Sequence, residues 1–128
     1  MYYRIKVSNI DNESGITTFL LDEDNFAKAV YKVIEVVGKE ADIEEIKWMK
    51  NFKPAINEKY SENNKLYMVK IAEDMIVIPG KIKTIKYEIP AFANNSNELN
   101  EIVNNYISQG LTDMRLTTIS ETKWKYIE

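Results

Sequence analysis

Residues 3–7 read Tyr3-Arg4-Ile5-Lys6-Val7, and their alternation of apolar and basic side chains decides how the fold is interpreted. A period of two residues is typical of a half-buried β-strand, with Tyr3, Ile5 and Val7 on the inner face. The pattern returns in residues 67–71, Tyr-Met-Val-Lys-Ile, about 64 positions later. A repeat at this distance predicts that the chain contains two similar halves.

The residues that follow the first strand predict a hairpin and then a helix. Residues 11–15 have turn chemistry, and Ile16–Leu21 returns as a second strand. The acidic run Asp22-Glu23-Asp24 offers a helix N-cap. Apolar side chains then recur at spacings of three and four residues, as in an amphipathic helix that stops at Gly38. These side chains are Phe26, Ala29, Val30, Val33, Ile34 and Val37.

The second half repeats this order of elements. Met75–Ile78 and Ile82–Ile89 predict strands joined by a turn at Pro79-Gly80. Asn94-Asn95-Ser96 caps the next helix, which closes near Gly110. A shift of about 73 positions lays the apolar stripe of this helix on that of the first helix. The stripe consists of Leu99, Ile102, Val103, Tyr106 and Ile107.

The last strand of the second half indicates the secondary structure of an ambiguous segment in the first half. A β-branched, threonine-rich stretch from Met114 to Ile119 predicts a strand. Asp42–Lys50 fits a helix or a strand by its own spacing. Because the shift of about 73 pairs Ile43 with Leu116, we interpret this segment as a strand.

Together these elements predict an α+β fold of tandem pseudo-duplicated ββαβ units, an antiparallel sheet with two helices packed on one face. A length of 128 residues suits a single domain, 1–128, with pseudo-repeats at about 1–56 and 65–128. Phe52–Asn64, which contains Pro54, is interpreted as a connector. Any two amphipathic ββαβ runs look alike by pattern, so a true duplication and a coincidence of patterning both stay open.

Composition limits the chemistry that the chain can perform. The sequence has no histidine and no cysteine. It therefore lacks an imidazole base, a thiolate nucleophile and the usual ligands of zinc, haem and iron–sulfur clusters. None of its four glycines falls in a phosphate-binding loop. We expect a protein that is not an enzyme and that uses no cofactor.

Two acidic clusters have alternative interpretations. Asp22, Glu23 and Asp24 could coordinate Mg²⁺ through carboxylate oxygens, but capping of the following helix already accounts for their position. Glu73 and Asp74 fit a turn or a bulge better than a catalytic pair. We therefore expect no metal site.

The balance of charge and hydropathy limits the location and the partners. The formal net charge is −3, from 17 basic and 20 acidic residues. This disfavours nucleic-acid binding over the whole surface, although a local basic patch stays open. The N-terminal residues lack the apolar core of a signal peptide, and no apolar run approaches the roughly 20 residues of a membrane span. The expectation is a cytoplasmic protein without a membrane partner.

Two basic-aromatic stretches form the first candidate site for a ligand or nucleic acid. Lysines beside aromatic rings can hold phosphates while the rings stack on bases, and two such stretches related by pseudo-symmetry could line one groove. The alternative is that both tryptophans cap the core and the lysines are solvated. The residues are Lys47, Trp48, Lys50 and Lys53 in one stretch and Lys123, Trp124, Lys125 and Tyr126 in the other.

A secondary basic cluster follows the Pro-Gly turn of the second half. Lys81, Lys83 and Lys86 lie on or beside a strand, where they could enlarge an anion-binding surface. Lysines on an edge strand also prevent its pairing with other chains. This second interpretation explains the cluster without a ligand.

Short motifs along the chain carry a resemblance to a known family. They are Tyr3–Val7, Asn25–Ala29, Ile46-Lys47, Lys65–Lys70 and Ile119–Thr122. In these motifs the chain resembles an uncharacterised domain family of Bacteroides-type bacteria and their crAss-like phages, whose members end in an Ile-x-Glu-Thr tail. The likeness spans most of the chain, and Glu121-Thr122 is its most distinctive piece. It implies a phage or mobile-element origin and no known activity.

From these observations we expect a non-catalytic binding module that contacts a protein or sequesters a small anionic ligand. Two alternatives stay open: a single-stranded nucleic-acid-binding protein that uses Trp48 and Trp124, and a structural virion component. Similar halves commonly form a shared groove or an oligomerisation surface, so a homo-oligomer also stays open. The expected location is the host cytoplasm if a phage encodes the chain.

Overall fold

The computed structural model describes residues 1–110 and 113–128, which fall into two compact units. The first unit comprises Met1–Lys50 and Lys123–Glu128, and the second comprises Asn51–Thr122. The elements of the first unit are β1 (Tyr2–Ser8), a 3₁₀ helix (Ile10–Asn12), β2 (Ile16–Asp22), α1 (Phe26–Val37), β3 (Asp42–Trp48) and β7 (Lys125–Ile127). Those of the second are β4 (Lys65–Ile78), β5 (Lys81–Ala93), α2 (Ser96–Ser108) and β6 (Asp113–Glu121).

The first unit is a four-stranded sheet in the order β3-β1-β2-β7, with α1 packed on one face. The inner face predicted for β1 is confirmed, because Tyr3, Ile5 and Val7 are buried against Ala29 and Val33 of α1. β7 pairs in parallel with β2, whereas the other pairs are antiparallel. Residues 123–128 therefore lie in the first unit, although the sequence pattern assigned them to the second repeat. Three residues are too few to show which sheet a strand joins.

The N-cap of α1 is Asn25 and not the acidic run before it. Asn25 has an extended backbone, and its side-chain oxygen accepts a hydrogen bond from the Lys28 backbone N at 2.9 Å. The acidic residues form ion pairs: Asp22 with the ammonium group of Met1, Glu23 with Lys32 and Asp24 with Lys28. The hydrogen bond from Lys32 lowers the pKa of Glu23. Gly38 ends the helix, as predicted.

The second unit is a three-stranded antiparallel sheet in the order β5-β4-β6, with α2 packed on one face. The predicted N-cap Asn95 is confirmed, since its side chain accepts a hydrogen bond from the Glu98 backbone N at 2.9 Å. Leu99 and Val103 of α2 are fully buried. They pack against apolar side chains of β4 and β5, namely Tyr67, Val69, Ile71, Tyr87, Ile89, Ala91 and Ala93.

The two units have the same internal connections. In each, the first strand of a ββαβ run pairs with both the second and the third. The ladder to the third strand shifts register between Lys6 and Val7 in one unit and between Lys70 and Ile71 in the other. These two positions are related by the offset that the sequence repeat indicated. The duplication itself stays a prediction.

The helices correspond by a different offset from the predicted one. The caps Asn25 and Asn95, like the buried Val33 and Val103, stand 70 positions apart, and not about 73. A shift of three residues turns a helix by about 300°, nearly a full turn. The apolar stripe therefore fits both offsets, and in the sequence only the position of the cap distinguishes them.

The predicted α+β class is confirmed in the described residues, which form two helices and seven strands. The ambiguous segment is the strand β3, as the repeat indicated. The strands divide into two sheets with one helix each, where the sequence predicted one sheet that carried both helices. Alternation identifies the buried face of a strand, but it does not identify the sheet that the strand joins.

Candidate functional site

β4 and β5 extend beyond the rest of their sheet as a two-stranded arm, residues 75–83. The pairing of β4 with β6 ends at Asp74, opposite Asp113, whereas its pairing with β5 continues to Ile78. The predicted turn at Pro79 and Gly80 closes the arm. Gly80 has a φ of 84°, a left-handed conformation that glycine adopts without strain. Among the described residues, the arm has no third strand beside it.

The arm exposes a group of apolar side chains. Ile76 is 78% exposed and Ile82 is 70% exposed. The two are direct partners in the ladder, so their side chains lie on one face of the ribbon. Met75, Val77 and Ile78 are also exposed. Single exposed apolar residues are common on protein surfaces, whereas a contiguous group marks an interaction site.

The exposed part of β5 is basic as well as apolar. Residues 75–87 contain Lys81, Lys83 and Lys86 and no acidic residue, so the formal charge of this segment is +3. Because the formal net charge of the whole chain is −3, the remaining residues carry −6. All three lysines are exposed. None forms an ion pair with an acidic group of residues 1–110 or 113–128. The secondary basic cluster therefore lies on an edge strand, next to the apolar residues of the arm.

Polar contacts across three strands fix the base of the arm. Asp74 accepts a hydrogen bond from Thr84 Oγ1 at 2.6 Å and another from the Arg115 guanidinium at 2.7 Å. The hydrogen bond from Thr84, followed by that from Arg115, lowers the pKa of Asp74. Asp74 thus lies within a regular ladder and not in the turn or bulge that the sequence suggested.

On the other face of β4, Glu73 is part of a cluster with Tyr87 and Lys53. The buried Tyr87 donates its hydroxyl hydrogen to Glu73 at 2.7 Å. The Lys53 ammonium group lies 3.6 Å from the same carboxylate and 4.1 Å from the centre of the Tyr87 ring. Burial, followed by the hydrogen bond to Glu73, raises the pKa of Tyr87. Lys53, a predicted ligand-binding residue, is thus engaged by its own unit.

The structure does not bring the two candidate tryptophans to a common face. Trp48 ends β3 opposite Tyr3 and is 51% exposed. Trp124 precedes β7, and the Arg4 guanidinium lies 5.8 Å from its ring centre. Tyr3 and Arg4 are adjacent in β1, so their side chains project from opposite faces of the sheet. The shared groove expected from the sequence is therefore not formed by these two rings.

The two basic-aromatic stretches also do not occupy equivalent positions. The residue of the second unit that takes the ladder position of Trp48 is Glu121, which lies opposite Tyr67. Of the candidate lysines, Lys50 lies 5.8 Å from the ring centre of Trp48. Lys47, Lys123 and Lys125 are exposed side chains of the first unit.

Tyr126 is a half-buried candidate residue of β7, opposite Leu20. Burial, followed by the neighbouring Tyr2 hydroxyl, raises the pKa of Tyr126 from 10.0 to about 12. The folded protein therefore holds this proton at pH values where the unfolded chain has lost it. The resulting stabilisation is complete below pH 10.0 and is lost as the pH rises towards about 12.

We expect Tyr126→Phe to lose less stability than the unsubstituted protein when the pH rises from about 9 to about 11.5, because phenylalanine has no proton to release. The urea midpoint at the two pH values measures the loss. Tyr31→Phe is the matched control, since Tyr31 is 65% exposed on α1. If Tyr126→Phe and Tyr31→Phe lose stability equally, Tyr126 does not carry this pH dependence.

The described residues contain neither a cluster of metal ligands nor a membrane-spanning helix. No group of three or more acidic side chains converges as a metal site within residues 1–110 and 113–128. No helix in this part of the chain is long and apolar enough to cross a membrane. Asp22, Glu23 and Asp24 are each engaged in the ion pairs described above.

A cleft of about 510 Å³ lies beside the N-terminus of α2 in the second unit. Asn95, Ser96 and Leu99 line it from the helix side. Its two charged residues, Lys65 and Glu121, form an ion pair at 3.3 Å. Because these charges neutralise each other, the cleft has no excess charge that would select an ionic ligand.

The exposed apolar residues of the arm are absent from the sequence-based candidates, although the neighbouring lysines are present. The signal that could have revealed them is a mismatch in length. β4 has 14 residues and β5 has 13, but β6 has nine. A long hairpin that pairs with a shorter third strand necessarily extends beyond it.

Comparisons of this chain with protein-family models, with curated proteins and with solved structures give no significant match.

Proposed function

We propose that this protein is a non-catalytic binding module whose arm docks an acidic, apolar segment of a partner protein. The observation that supports this most directly is the exposed group formed by Ile76, Ile82 and their apolar neighbours, beside three lysines that make no ion pair in the described part of the chain. Contiguous exposed apolar surface favours protein contact. The arm contains no aromatic residue, so it lacks the rings on which nucleic-acid bases stack.

Charge complementarity supports an acidic occupant over a second copy of the chain. A segment of charge +3 on a chain that is otherwise −6 attracts an anionic surface. A second copy that presented the same arm would bring two segments of charge +3 together, and their mutual repulsion disfavours pairing. An acidic segment of another protein satisfies both the charges and the apolar side chains.

The proposal includes the absence of catalysis, for which the missing histidine and cysteine are the support. A cytoplasmic location and a phage or mobile-element origin also belong to it. The proposed phage or mobile-element origin is supported only by the short motifs of the family resemblance.

The test is binding to an array of decapeptides that mix glutamate with valine or isoleucine, and to a counterpart array with lysine in place of glutamate. We expect the protein to bind the glutamate set. The double variant Ile76→Ser and Ile82→Ser should bind at least about tenfold more weakly, because two apolar side chains lose their buried contact. The control is Tyr31→Ser with Val36→Ser, two exposed apolar residues of α1, which should bind like the unsubstituted protein.

Each other result contradicts the proposal. Failure to bind the glutamate set, or equal binding by the arm variant, would exclude the arm as the docking surface. A stable dimer in size-exclusion chromatography that the arm variant abolishes would make a second copy the occupant. Salt-sensitive binding of an oligothymidylate that Trp48→Ala abolishes would favour the alternative of single-stranded nucleic-acid binding.

A further inference from the structure

We propose that the partner segment binds as an additional β-strand along the edge of β5 between Ile82 and Lys86, an inference that rests on the proposed function of the arm. β5 lies at the edge of its sheet. An edge strand presents a row of backbone N–H and C=O groups that another strand can pair with. Within residues 82–86 only Ile85 is half-buried, and the other four residues are exposed.

The hydrogen bonds of Glu88 show which residues of β5 direct their backbone outward. Glu88 N donates to the Asn51 carbonyl at 3.0 Å, and Lys53 N donates to the Glu88 carbonyl at 3.0 Å. Alternate residues of a strand direct their backbone groups to the same side. The ladder between β4 and β5 has no register shift from residue 82 to residue 88. Ile82, Thr84 and Lys86 therefore present their N–H and C=O groups at the edge.

The chain already pairs with the neighbouring part of this edge. Phe52 forms a parallel bridge with Glu88. Further along, the Asn57 side-chain amide donates to the Phe92 carbonyl at 2.7 Å and accepts from Phe92 N at 2.8 Å. Pro90 also lies at an outward position, where its missing N–H costs no bond to β4. The connector thus covers residues 88–92, whereas in the described chain residues 82–86 pair with β4 on one side and with no strand on the outer side.

The side chains of this edge specify the sequence of the added strand. Residues opposite Lys83 and Lys86 should be acidic, and those opposite Ile82 and Ile85 should be apolar, because direct cross-strand partners contact each other. Thr84 is uncharged, so the partner residue opposite it can be of any type. Antiparallel to β5, the partner therefore reads acidic, apolar, any, acidic, apolar. Two copies of β5 do not fit this pattern, since their lysines would oppose a basic strand.

The test uses an acetylated and amidated nonapeptide, Ser-Ser-Glu-Val-Thr-Glu-Val-Ser-Ser, and two variants of one residue. Thr84→Pro removes an outward N–H and leaves the ladder to β4 intact, as the native Pro90 does. Thr84→Val keeps that N–H. Both variants lose the hydrogen bond from the Thr84 hydroxyl to Asp74. A comparison between them therefore reports the effect of the edge N–H. We expect Thr84→Pro to bind the peptide at least about tenfold more weakly than Thr84→Val. Equal affinities would overturn strand addition.

Amide hydrogen exchange in the unsubstituted protein gives a measurement that does not depend on how the proline variant folds. Saturating peptide should slow exchange at Ile82, Thr84 and Lys86 by at least about tenfold, and should leave Lys83 and Ile85 unchanged. No slowing at the first three, with binding still lost in the arm double variant, would overturn strand addition and retain the proposed function. Binding that no arm variant weakens would overturn both.

Discussion

Simultaneous reversal of Lys81, Lys83 and Lys86 to glutamate is expected to abolish binding of the glutamate-containing nonapeptide and to create binding of its lysine counterpart. An exposed charge pair contributes about 0.2–1 kcal/mol, and a like pair costs a similar amount. In the proposed complex Lys83 and Lys86 face the two glutamates of the peptide, so loss of two attractions and gain of two repulsions changes the affinity by a factor on the order of ten to a hundred. The lysines make no ion pair in the described chain, so no native pair is broken by the reversal.

The control for this experiment changes the net charge equally at another surface. Lys39, Lys123 and Lys125 are exposed lysines of the first unit, and their reversal to glutamate should leave peptide affinity unchanged. Fluorescence anisotropy at about 50 and about 300 mM salt measures both variants, since screening weakens contacts between exposed charges. An equal loss of affinity in the control would mean that overall charge, and not the arm, governs binding.

The largest expected effect on stability comes from Ile71→Ala. Ile71 is fully buried in β4, between Tyr87 of β5 and Leu116 of β6. Truncation of a buried isoleucine removes apolar contacts and leaves a cavity, so we expect a loss of about 2–5 kcal/mol in the free energy of unfolding. Urea denaturation followed by far-UV circular dichroism measures this loss, since both tryptophans lie in the first unit.

The same substitution five positions along the strand provides the control. Ile76 is 78% exposed, so Ile76→Ala should change the free energy of unfolding by no more than about 0.5 kcal/mol. It should nevertheless weaken binding of the glutamate-containing nonapeptide, because Ile76 is the ladder partner of Ile82, which the peptide contacts in the proposed complex. If Ile76→Ala destabilises the protein as much as Ile71→Ala, the arm is part of the core and not a docking surface.

The elements with strong local signals are those that the sequence predicted well. Alternation in residues 3–7 identified a buried strand face, and the Asn95 cap identified the start of α2. The repeat offset also located the strand β3, for which its own spacing was ambiguous. Periodicity and capping are properties of a few consecutive residues, so one sequence is sufficient to predict them.

The features that depend on distant pairing could not be predicted in this way. The position of β7 depends on the open edge of β2, and the exposure of Ile76 depends on the end of the described β4–β6 ladder at Asp74. Trp48 and Trp124 looked equivalent because each lies among lysines, yet the pleat directs their contacts to opposite faces. The residue types that neighbour a tryptophan in the sequence do not indicate on which face of the sheet its ring lies.

The contact among Asp74, Thr84 and Arg115 separates the three-stranded part of the second unit from the two-stranded hairpin beyond it. Opposite residues of an antiparallel ladder are about 5 Å apart, a gap that a two-residue Asn-Gly turn can close. Insertions or deletions of paired residues between Asp74 and Thr84 would lengthen or shorten the hairpin without altering the hydrophobic core of the second unit. A change in the length or sequence of this one hairpin would therefore alter the proposed docking surface and leave the residues that hold α2 in place.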